Sequence, residues 1–145
     1  MRRNSSTDRF LTALVLVSML YTLLLGWGLL YRIVPFQLAY LLMALPCMAP
    51  VIWYAYGFLR VTDATQDFGL LLSALGWGCI LIALLAKHVA LIGDLRAHQA
   101  GTLVEKFGQS QTATIFLTLG VLSLLSGAFI SARAWMLAAR RGEIE

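Results

Sequence analysis

Apolar side chains run along this chain in four long blocks that contain no Lys, Arg, Asp or Glu: residues 10–31 (22 residues), 33–59 (27), 68–86 (19) and 107–132 (26). Charge is confined to the gaps and the ends. A helix rises about 1.5 Å per residue and a bilayer's hydrocarbon core is about 30 Å thick, so about 20 apolar residues make one crossing. Each block meets or nearly meets that length, and the pattern predicts four transmembrane helices over about 10–31, 38–59, 68–92 and 112–137. The first two connections, Arg32 to Gln37 and Arg60 to Asp67, are short and force successive helices to lie side by side and antiparallel. The expected fold is an all-α membrane protein, an up-down-up-down four-transmembrane-helix antiparallel bundle forming one domain over residues 1–145. The third connection, KHVALIGDLRAHQAGTLVEKFGQSQ, mixes Val, Leu and Ile with charge and is punctuated by Gly93, Gly101 and Gly108. It is expected to carry the third helix past the membrane before an interfacial or loop segment, with the division between helix and loop in 87–111 left open.

Composition agrees with the blocks. With 60% hydrophobic residues, 12% charged and a mean hydropathy of +0.81, the chain cannot be an ordinary water-soluble domain. A net charge of +4 raises the question of nucleic acid, but the basic residues are scattered at membrane edges and form no patch interleaved with aromatics. Their distribution instead orients the chain. Arg2, Arg3, Arg9, Arg60, Arg133, Arg140 and Arg141 fall on one side, against Arg32, Lys87, Arg96 and Lys106 on the other. The positive-inside rule then puts both termini in the cytoplasm. The N-terminal MRRNSSTDR followed by an apolar run resembles a signal peptide in outline, yet the run is 22 residues long and lacks a small-x-small cleavage site, so it is expected to be a retained helix. A compact, loop-poor chain of this kind suits a bacterial inner (plasma) membrane. Trp27 and Tyr31, the group Trp53, Tyr54, Tyr56 and Phe58, and Trp135 sit where aromatic belts form at the headgroup level. Arg133, one membrane thickness after Thr112, can snorkel to the inner surface.

Within the spans, the firmest pattern is small residues at helical spacing. Ser18, Thr22 and Gly26 form one stripe on the first helix, and Gly120, Ser123, Gly127 and Ser131 another on the fourth. Lipid tails are as apolar as leucine, so helices in a bilayer attract one another by close backbone approach and shared hydrogen bonds rather than by burial. Both stripes are therefore helix-packing faces, for the chain's own bundle or for a partner protein, and the two could meet each other. Pro46 and Pro50 each remove a backbone donor from the second helix and free a carbonyl one turn earlier, predicting a kink. Cys47 and Cys79 read as small apolar fillers. LGWG occurs at 25–28 and 75–78, but at different depths in its two helices, which makes a transporter-type repeat a poor account of it. None of the seven acidic residues lies in a span, which disfavours a proton-coupled pump or an intramembrane carboxylate enzyme.

Polar chemistry concentrates instead on the outer side, where Lys87, His88, Asp94, Arg96 and His98 form a possible headgroup or ligand site, with Glu105 and Lys106 nearby. Asp94 and His98 share a face if the helix persists; no metal site is expected, since only this pair has ligand-like spacing. The cluster is expected first of all to be a helix pair or a solvated face; as a ligand site it would take a quinone or a lipid headgroup at His88, Lys87 and Arg96 ahead of a haem shared between two subunits, and no resident cofactor is expected. Asp67 is expected to cap the third helix. The segment RAHQAGTLVE carries an Arg-x-His and a Glu, as small four-helix glutathione-linked membrane enzymes do, but it lies after the third helix and has Gln99 where Asn is expected, so no family is assigned. No Walker loop, G-x-S-x-G, H-E-x-x-H or dinucleotide fingerprint occurs. The expected function is non-enzymatic: an accessory, anchoring or assembly subunit whose helix faces dock on a membrane protein partner or on further copies of the chain. The alternatives are a small oligomeric transporter or channel component and a surface-acting quinone, lipid or metal-binding enzyme subunit.

Overall fold

The computed structural model describes residues 5–60, 64–101 and 110–140. Four helices account for nearly all of them: α1 (Ser5–Leu30), α2 (Ala39–Phe58), α3 (Ala64–Gln99) and α4 (Gln111–Arg140), with one 3₁₀ turn at Phe36–Leu38. All four are long and apolar enough to cross a membrane, over Thr12–Leu30, Ala39–Phe58, Asp67–Gln99 and Gln111–Leu137. The chain is an all-helical protein of the multi-pass membrane type. Glu105, Lys106, Asp63, Arg141 and the N-terminal Arg2 and Arg3 lie outside the described residues.

Helix ends explain where the apolar blocks and the helices part company. α1 closes with the hydrogen bonds of a Schellman turn: Ile33 N–H donates to the Gly28 carbonyl at 2.8 Å and Arg32 N–H to the Leu29 carbonyl at 3.1 Å. Arg32 itself has φ +57°, the left-handed region that such a turn requires and that glycine fills most easily. α3 reaches Gly101, which has the same left-handed conformation at φ +77° and whose N–H donates to the His98 carbonyl at 3.0 Å. At the other terminus of the last helix, the Ser110 hydroxyl accepts from Ala113 N–H at 3.2 Å and caps α4. α3 is 36 residues long and continues through Lys87 and His88 to Gln99, well past the 68–92 predicted from hydropathy, because its polar extension keeps helical backbone bonding until glycine stops it. α3 also begins earlier, at Ala64, so Asp67 lies inside the first turn rather than at the cap. Its carboxylate still faces the positive end of the helix dipole.

The core is made of small side chains. Ala39, Ala44, Ala49, Ala83, Ala113, Ala134 and Ser73 are buried together with Gly28, Gly69, Gly76, Gly120 and Gly127, and Leu25 and Leu91 are the only larger side chains buried among the described residues. Large apolar residues turn outward, with Leu23 at 72% and Phe129 at 69% exposure. That is the reverse of a soluble core and is what a lipid solvent favours, since large side chains gain nothing by leaving hydrocarbon while small ones let backbones close. α3 is the central helix, packed on α2 and on α4, whereas the packing of α1 is concentrated on α2.

Candidate functional site

The small-residue stripe of α4 lies against α3. A methyl group built on Gly127 would sit 2.6 Å from Ser73 Oγ, 2.8 Å from the Gly69 carbonyl oxygen and 3.0 Å from Ser73 N. One built on Gly120 would sit 2.9 Å from the Gly76 carbonyl oxygen and 3.2 Å from Cys79 Cβ. The relation is reciprocal, because Gly69 faces Ser131 and the Gly127 carbonyl while Gly76 faces the Gly120 carbonyl and Leu124. Going up α3 from Gly69 to Gly76 therefore means going down α4 from Gly127 to Gly120. Ser123 Oγ stitches the seam by donating to the Leu72 carbonyl at 2.7 Å. The complementary α3 residues, Gly69, Ser73 and Gly76, share the same helical spacing but were not singled out from sequence, since Gly76 reads as part of LGWG.

On α1 the equivalent stripe has a different setting. Ser18 Oγ donates to the Pro46 carbonyl of α2 at 3.3 Å. That acceptor is the one Pro50 leaves free, since residue 50 would otherwise donate to residue 46 along the helix. Thr22, exposed, donates back to the Ser18 carbonyl of its own helix at 2.8 Å, and a methyl on Gly26 would meet nothing within 4 Å. Ser18 and Thr22 edge a cleft of about 480 Å³ between α1, α2 and α3, walled by Pro46, Cys47, Pro50 and Trp77. Of the two LGWG copies, then, Gly76 is pressed into a helix seam while Gly26 faces open space. Both cysteines are free, Cys47 on the cleft and Cys79 on the seam.

The polar cluster predicted on the outer side is carried entirely by the extension of α3. Lys87 and His88 are half-buried where the helix leaves the apolar region, and Lys87 Nζ lies 5.7 Å from the centre of the Tyr40 ring on α2. His88 Nδ1 is buried without a hydrogen-bond partner among the described residues. Asp94 and His98 fall four residues apart on continuous helix and each has an interaction, while Arg96 and His98 are exposed. Among the described residues no three His, Cys, Asp or Glu side chains group as metal ligands. Next to Tyr40 a hollow of about 670 Å³ opens between α1 and α2, bounded by Arg32, Tyr40, Leu29, Leu30 and Met43. At the opposite end, the Arg60 guanidinium stacks 4.7 Å over the Tyr56 ring, and Tyr56 OH and Asp67 Oδ1 are buried without partners among the described residues. Arg133 shares a shallow hollow with Phe68 and Phe129. Compared with family models, curated proteins and solved structures, the chain matches none of them.

Proposed function

We propose that this chain is a non-enzymatic accessory or assembly subunit of a larger membrane protein complex, and that it takes up a transmembrane helix of its partner in the cleft between α1, α2 and α3. The observation that carries this reading is the unequal use of the two small-residue stripes. The stripe on α4 is consumed by α3, whereas Thr22 and the adjoining face of α1 border open volume. In hydrocarbon, an unfilled surface of that kind gains close packing and dispersion contacts from a second helix. The arrangement we propose is an antiparallel bundle with both termini cytoplasmic in a bacterial inner membrane. The seven-to-four division of Lys and Arg supports the orientation, and the contact order of α3 on α4 supports the alternation of direction.

Native mass spectrometry of the protein gently extracted from its own membrane tests the proposal. The expected result is a reproducible hetero-complex that Thr22→Leu abolishes. Thr22 is exposed and bonds only within its own helix, so the variant chain itself should remain folded. A lone chain, or a homo-oligomer indifferent to Thr22→Leu, would reject the accessory role, and a visible chromophore in the same sample would redirect attention to His88 and His98.

A further inference from the structure

The hollow between the end of α1 and the start of α2 combines three features that the partner reading does not use. Its walls, Leu29, Leu30 and Met43, are apolar, and its rim carries Arg32 and Tyr40. Lys87 stands on α3, outside the lining but beside that same Tyr40, its ammonium 5.7 Å from the ring centre. Trp27 and Tyr31, with ring centroids 4.9 Å apart, mark the adjoining turn of α1 as headgroup depth, where amphipathic rings settle. We infer that this hollow binds one anionic phospholipid, its phosphate held at Arg32 and Lys87 and the head of its acyl chains laid along Leu29, Leu30 and Met43.

The chemistry favours a phosphate diester. A guanidinium presents paired N–H donors that match two phosphate oxygens, the lysine adds a point charge, and a phenol adds a neutral donor. A neutral quinone leaves both cations uncompensated, and a free anion leaves the apolar walls without an occupant. Size agrees as well, since ligand pockets commonly enclose about 300–1,000 Å³. The backbone at Arg32 points the same way. A left-handed conformation costs a non-glycine residue about 1 kcal/mol or more, and glycine is the usual occupant of this position in a Schellman turn. Arginine at φ +57° is a local cost that a role for its side chain offsets.

That strain also supplies a clean variant. Arg32→Gly removes the guanidinium while relaxing the backbone, so weakened binding cannot be ascribed to a damaged fold, and thermal unfolding checks this directly. The protein is reconstituted in nanodiscs of equimolar phosphatidylglycerol and phosphatidylcholine, released into native mass spectrometry, and the retained lipid is identified with and without added inorganic phosphate. The wild-type chain should retain a single phosphatidylglycerol, Arg32→Gly about tenfold less, as loss of one charge-assisted contact implies, and Lys87→Gln an intermediate amount. Inorganic phosphate should not displace the lipid. Equal retention by wild type and Arg32→Gly would overturn the site. Equal retention of the two lipids would overturn the role of charge, and displacement by inorganic phosphate would show that the lipid chains contribute nothing.

Discussion

Gly127 and Gly26 are the same residue type in two membrane helices, yet a methyl group added to each should act in opposite directions. At Gly127 the new carbon would press on the Gly69 carbonyl and the Ser73 amide, backbone groups that cannot swing aside. Gly127→Ala should therefore destabilise the protein by about 1–3 kcal/mol, the usual cost of overpacking. Gly26→Ala meets open space and should stabilise it by about 0.5–1 kcal/mol through the lower backbone entropy of alanine. Unfolding midpoints of the two variants in a mild detergent check the pair, and a common sign would contradict the packing described here. The stripe on α4 was legible in the sequence because its spacing is regular. Which helix it faces was not, since that is a relation between two segments and spacing within one segment carries no information about the other.

At the scale of the element, α2 shows how a defect in one helix becomes the attachment point of another. Pro50 deprives the Pro46 carbonyl of its intrahelical donor, and the hydroxyl of Ser18 on α1 supplies the missing bond. Ser18→Ala should cost about 0.6 kcal/mol, the average of side-chain hydrogen bonds between membrane helices. In a Pro50→Ala background, where residue 50 again carries an N–H, most of that cost should vanish. A double-mutant cycle measures the difference, and strictly additive effects would mean that Ser18 does not serve the carbonyl orphaned by proline. The prolines and the four apolar helices were plain from residue types alone. The extents of the helices were not, because lipid sets where side chains must be apolar whereas caps and glycines set where the backbone stops. Hence α3 runs from Ala64 to Gln99, across the charged residues that bound its apolar block.

For the whole molecule, orientation is the property most easily tested. With the termini cytoplasmic, a green fluorescent protein fused after the last residue should fluoresce, and alkaline phosphatase inserted after Gly101 should be active; the opposite pattern would reverse the arrangement. Cohesion within the molecule is graded, tight where α3 meets α4 and loose where α1 leans on α2. This gradient has a consequence in time. Helices leave the ribosome in order, at about 5–20 residues per second, so α1 and α2 enter the membrane several seconds before Gly120, Ser123 and Gly127 are synthesised. During that interval the strongest seam of the finished protein has only one of its halves. In the complex we propose, α1, having the weakest claim on the other three helices, is then open to a partner, and assembly would begin on a chain that is still being made.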